Sequence, residues 1–257
     1  MSLAGGIALD GVLLESLADT LAVTDVTEEP VLAVETEERV GSGGIWVTRL
    51  RRERLNVRVT FRVRDVRRLR RAGTLGLAAA WAQGRVMTWD SRPGQRLRVR
   101  CTAWPETGSL RWNESLCAVF TACEQPWWES AAPVTLALAH AGGATAGTLE
   151  IPGQTETEIA AEITAGAGGL NAVSVTVADR TLAFAGLGMA AGETLTLGPD
   201  GEGRWSWRIS GAGGTRSAFP CRTLGSADRL CALPGARSVT VTGDACAVTL
   251  AVKGHYL

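Results

Sequence analysis

Few side chains in this sequence have the types and spacing that chemistry demands. Two histidines, His140 and His255, are all that 257 residues offer for proton transfer near neutral pH. No Gly-x-Ser-x-Gly elbow, no His-Glu-x-x-His pair and no phosphate-cradling glycine loop accompanies them. Glu156 and Glu158 fall on one face of an expected strand, and paired carboxylates are what a glycosidase needs, yet strand glutamates repeat in this way without chemistry. The six cysteines (Cys101, Cys117, Cys123, Cys221, Cys231, Cys246) form no C-x-x-C pair and have no ligand-like histidine nearby, so neither zinc nor a redox motif is expected. Free thiols are the default. Cys117 and Cys123 share one extended run and would lie roughly 20 Å apart, beyond disulfide reach. No enzyme activity, metal or cofactor is expected.

What the sequence does offer is charge and aromatic surface. Net charge is zero, so no overall field selects nucleic acid, a membrane or an acidic substrate. The local distribution is polarised. Acidic residues dominate the first forty positions, among them Asp25, Glu28, Glu29, Glu35, Glu37 and Glu38. Arginines dominate from Arg49 to Arg71, opposed only by Glu53 and Asp65. The two stretches can pair with each other or with a neighbouring copy. Arginines in this number could also neutralise phosphates, but their strand alternates with core residues and the chain is neutral, which argues against DNA binding. Trp104, Trp112, Trp127, Trp128, Trp205 and Trp207 could stack on sugar rings. Core and interface packing is the plainer use of such large apolar areas, and Trp205 and Trp207 share one strand face as core residues would.

The elements that position these residues are mostly strands. Leu55, Val57, Val59, Phe61 and Val63 alternate with Asn56, Arg58, Thr60, Arg62 and Arg64, the pattern of a half-buried strand. Asp65 can cap a helix whose apolar positions Val66, Leu69, Leu77, Ala80 and Trp81 fit a 3.6-residue period. A strand pair is expected at 85–89 and 97–102, joined through Ser91-Arg92-Pro93-Gly94, and another strand at 115–123. Composition shifts near Ser130-Ala131-Ala132-Pro133 from arginine-rich to Gly/Ala/Thr-rich sequence, placing a boundary between domains 1–131 and 132–257. Beyond it, short runs at 134–139, 155–163, 170–178, 193–197, 204–209, 238–242 and 245–252 suggest a β-sandwich, with Cys246 a small core residue.

The ordered features from Gly41 to Glu129 resemble one family. Gly43-Gly44 leads into the arginine-flanked strand, and the helix ends at Trp81-Ala82. Arg92-Pro93-Gly94, Trp104-Pro105 and Trp112 follow, and the segment closes on Pro126-Trp127-Trp128-Glu129. Each element alone is a weak signal; the ordered set over about ninety residues carries the specificity. It resembles the distal tail proteins of siphophages, abbreviated Dit. The resemblance implies a mainly β chain, with an amino-terminal split-barrel-like domain bearing one helix and a carboxy-terminal galectin-like β-sandwich.

It further implies a structural virion protein rather than an enzyme. Such a hub forms a homohexameric ring that joins the tail tube protein to the tail-tip protein, and DNA passes through its lumen without sequence-specific binding. In that setting Arg58, Arg62 and Arg64 would meet acidic residues of a neighbouring copy. No membrane partner is expected. No basic stretch followed by an apolar core opens the sequence, and no run of about eighteen apolar residues occurs, so synthesis in the host cytoplasm is expected before incorporation at the virion tail tip. A carbohydrate-binding tail module contacting the host surface is the alternative.

Overall fold

The computed structural model describes residues 6–38, 45–65, 67–105, 115–199 and 205–257. Gly43, Gly44 and Trp112 lie outside them, as does Val66. The chain is mainly β and divides into two compact units, Met1–Trp128 and Glu129–Leu257.

The first unit is an antiparallel sheet with one α-helix among its described residues. Its elements are β1 (Ile7–Leu9), β2 (Val12–Leu13), β3 (Leu21–Glu38), β4 (Ile45–Val63), α1 (Arg68–Trp81), β5 (Val86–Trp89), β6 (Gln95–Ala103) and β7 (Ser115–Ala122), ordered β2-β1-β5-β6-β7-β4-β3. The alternation in β4 reads through directly: Leu55, Val57, Val59, Phe61 and Val63 are all fully buried. β4 is far longer than its apolar pattern, because it pairs with the whole of β3 from Leu21↔Val63 to Glu38↔Ile45. β7 covers only Asn56 to Arg62. Among the described residues the rest of the hairpin is therefore a two-stranded ribbon. Pro30 sits within β3, where an edge strand tolerates it because one side needs no donor.

The helix forms where expected but turns a different face inward. Leu69 is 90% exposed and Leu77 51% exposed, and Ala80 is exposed too. The buried stripe is Arg71, Thr74, Leu75, Ala78 and Trp81. Both stripes satisfy a 3.6-residue period, and hydropathy alone favours the leucines; the structure instead uses Leu75 and small Ala78 on the buried face, with Trp81 as the anchor. Asp65 is not the N-cap, which is Arg67. It lies two residues before the cap, buried, accepting a hydrogen bond from Arg67 N at 3.0 Å and pairing with Arg70 at 3.2 Å.

A short strand, β8 (Trp128–Ser130), spans the boundary, and the second unit is a β-sandwich. Its strands are β9 (Val134–His140), β10 (Gly143–Ile151), β11 (Thr157–Ala165), β12 (Leu170–Val177), β13 (Arg180–Met189), β14 (Thr194–Pro199), β15 (Trp205–Gly211), β16 (Gly214–Ser217), β17 (Cys231–Ala232), β18 (Gly235–Gly243), β19 (Cys246–Val252) and β20 (His255–Tyr256). One sheet runs β10-β18-β12-β13, the other β16-β15-β14-β11-β19-β9. Inward residues of both, such as Val175, Phe184 and Val241 against Ile163, Leu197 and Leu250, share one hydrophobic cluster. Cys246 is a buried member of it.

Candidate functional site

Two of the motif segments converge in the first unit. The turn after β5 is closed by Arg92 N donating to Trp89 O at 2.8 Å, with Gly94 at φ +71°, a conformation that favours glycine. This turn aims the Arg92 guanidinium back at β3. Its Nε and Nη2 each donate to the Glu28 carboxylate at 2.7 Å. Trp128, fully buried, donates from Nε1 to the same carboxylate at 3.0 Å. The Arg92 guanidinium lies 5.7 Å from the centre of the Trp128 ring, and Trp89 lies 6.5 Å from it on an inclined plane. Glu28 and Arg92 are only 15% and 21% exposed, so this is a largely desolvated, bidentate charge pair.

A second guanidinium crowds the same carboxylate. Arg52 on β4 has Nε and Nη1 shielded from solvent with no hydrogen-bond partner. Burial holds its pKa below the usual guanidinium range; the Glu28 charge opposes that shift and the Arg92 charge adds to it. Two cations thus share one anion. Neither Glu28 nor Arg52 stands out in the sequence. Both belong to the opposed acidic and basic stretches, and only the turn geometry at Arg92 singles them out.

The other motif residues lie around the sheet. Trp81 donates from Nε1 to Val12 O at 2.7 Å and meets Phe120 edge-on at 5.8 Å. Trp104 lies against Phe61 with centroids 5.6 Å apart, and Pro105 beside it is half-buried. Trp127, after half-buried Pro126, donates to Gln125 Oε1 at 2.7 Å. Pro93 is exposed in its turn. Glu129, the first residue of the second unit, sits 3.9 Å from Lys253 of that unit.

Of the three arginines expected at an interface between copies, Arg58 is paired within the chain, its Nε 3.0 Å from Glu29 across the β3–β4 ladder. Arg62 donates to Ser115 Oγ at 3.0 Å, and Arg64 is exposed. The opposed charge stretches therefore meet inside the hairpin at least at Glu29–Arg58. Along the ribbon, Val31, Leu32 and Val34 are exposed on the edge strand β3. The exposed edge and these aliphatic residues make the ribbon an open apolar strand surface, and Val12 and Leu13 are likewise exposed on the opposite edge strand β2.

With that geometry in view, the chain can be compared with solved structures. It superposes on the crystal structure of the Dit protein (gp 19.1) of phage SPP1, described as a paradigm of hub adsorption apparatus in phages that infect Gram-positive bacteria. The TM-score is 0.70 at 12% identity, over 96% of this chain and 98% of that one. The fold is that of a Dit protein. Two structures of the phage P2 baseplate in its activated conformation, with calcium and with strontium, align at TM-scores of 0.48 and 0.46 with 7% identity, over 91% of this chain and 90% of theirs. No protein-family model and no curated protein matches the chain.

In the second unit of this Dit fold each of the two candidate glutamates has an arginine partner. Glu158 pairs with Arg229, and Glu156 lies 3.7 Å from Arg180. His140 is buried, with Nδ1 2.8 Å from Thr145 Oγ1 and Nε2 3.2 Å from Gly243 O, a satisfied core histidine. His255 is buried as well; burial lowers its pKa, opposed by a backbone hydrogen bond at Glu156 and by the Glu129 and Glu158 charges. The tryptophans of β15 depart from the core reading. Trp207 packs partly on the core, but both it and Trp205 are half-buried and line an open groove of about 500 Å³.

Proposed function

We propose that this chain is a structural hub of a phage tail tip, assembling through its first unit rather than catalysing a reaction. The observation that carries the reading is the likeness to SPP1 Dit, which extends over nearly the full length of both chains. The local geometry supports it. A ribbon with an unpaired edge and exposed Val31, Leu32 and Val34 is a surface that soluble monomers avoid, because it invites pairing with another chain. A second copy covers such an edge by heterologous contact, and heterologous contacts that close generate rings.

In this reading the first unit is the split-barrel-like, ring-forming domain and the second the galectin-like domain. The ring is six-fold, caps the tail tube, receives the tail-tip protein and leaves a lumen for DNA. The chain works at the virion tail tip after synthesis in the host cytoplasm. Light scattering of the purified chain over a concentration series, with negative-stain images, tests this. Closed rings of six or twelve copies are expected. A strict monomer at every concentration that also fails to join purified tail tube protein would remove the hub reading.

A further inference from the structure

We propose that the open groove beside β15 in the second unit is a saccharide-binding site. This goes beyond the hub reading and stands without it. Trp205 and Trp207 project from the same side of β15 as the buried Ile209 but stay half-buried, Trp207 packing partly on the core, and both line the groove. Phe219 extends that lining. Its ring lies 5.2 Å from that of Trp207 at 57°, and it stays 53% exposed. The Arg222 guanidinium lies 5.6 Å from the centre of that ring and Arg229 5.9 Å from that of Trp205, yet Phe219 still keeps about half its surface in water.

The remainder of the lining says what that occupant is. Arg208, Arg216 and the hydroxyls of Ser206, Thr215 and Ser217 complete the lining. The described lining contains no aliphatic side chain, which an acyl chain or an amphipathic helix would need, and no carboxylate, which a cation or a basic peptide would need. A pyranose presents an apolar C–H face and a rim of hydroxyls, matching rings accompanied by donors. The size is appropriate, since small-ligand clefts run to roughly 300–1,000 Å³.

A further observation points the same way. Arg216 is held rigidly, its Nη1 and Nη2 donating to Glu193 at 3.0 and 2.9 Å, so it needs little further ordering to bind. Because β16 is the edge strand of its sheet, no further strand of this sheet covers the groove.

The test uses the full chain on an array of bacterial surface polysaccharides together with chitin, cellulose and pectin oligosaccharides. Wild type should be retained by at least one saccharide class, with intrinsic tryptophan fluorescence changing on titration of the free oligosaccharide. Trp205→Ala and Phe219→Ala should each weaken retention about tenfold or more while the melting temperature and oligomer mass stay unchanged; Phe219, being exposed, keeps the test valid if Trp205→Ala misfolds. No retention of wild type by any saccharide overturns the proposal. So does retention equal to wild type in both variants, or loss in the variants of binding to a tail protein with no saccharide bound by wild type. Ring formation is scored separately, so failure here leaves the hub reading intact.

Discussion

Glu28 accepts from both Arg92 and the Trp128 indole, and its charge opposes the desolvation of Arg52, so neutralising it would remove the carboxylate that Arg92 grips bidentately in a largely desolvated site. Glu28→Gln should therefore destabilise the first unit by about 2–3 kcal/mol, because removing one partner of a desolvated pair costs more than the pair contributes. Arg58→Ala breaks an ion pair that water already screens and should leave stability nearly unchanged. Urea titration of both variants separates these outcomes, and equal midpoints would refute the special role of Glu28. A second residue-scale expectation concerns pH. His255 has a folded pKa lowered by burial, so its contribution to stability is fully present above the unfolded value of about 6.5 and is lost as pH falls through that value toward the folded one. Calorimetry should show the second unit melting lower at pH 5.5 than at pH 7.5, and His255→Gln should shrink that difference. At this scale the sequence was legible where a residue type is rare or special, as with Arg92, Gly94 and Trp128. It was illegible where position alone matters: Glu28 and Arg52 look like their many charged neighbours until a turn points Arg92 at them.

At the scale of elements, legibility followed the strength of the alternation. The Leu55–Val63 part of β4 alternates strictly, and Leu97 and Val99 of β6 and Leu116 and Phe120 of β7 carry enough of the same signal for these strands to be readable. β10 and β13 were not, because their outward positions are Gly, Ala and Thr and their turns sit beside them; in β13, Gly186 and Gly188 at φ +72° and +54° mimic a loop while the strand continues. The ribbon half of β3 was hidden by Pro30 and by acidic residues, since edge strands need not alternate cleanly. The helix was located correctly but rotated, and that rotation is testable. Leu69→Glu, on a side chain 90% exposed, should change stability by no more than about 0.5 kcal/mol. Leu75→Ala, on the buried face, should cost about 2–4 kcal/mol. The hydropathy reading of the helix demands the reverse order, so one pair of thermal or urea melts decides between the faces.

At the scale of the whole molecule, the two units differ in what they leave unsatisfied. The second unit closes its own core: the cluster running from Leu149 to Val252 draws on both sheets, and all its members lie within Glu129–Leu257. The first unit buries the lower half of its β3–β4 hairpin but leaves the ribbon edge and its exposed aliphatic residues open. Association should therefore reside in the first unit. A fragment spanning 129–257 should unfold cooperatively and sediment as a monomer at all concentrations, because a sandwich with a complete core needs no partner. A fragment spanning 1–128 should self-associate in a concentration-dependent way, and Leu32→Asp within it should shift the population toward monomer by placing a charge on the surface that a neighbour must cover. Analytical ultracentrifugation of the three species makes the comparison. Self-association of 129–257 with a monomeric 1–128 would move the assembly surface to the other unit. Leu32→Asp without effect would place the contact elsewhere on the first unit, with the exposed face of α1 at Leu69 and Leu77 as the next surface to charge.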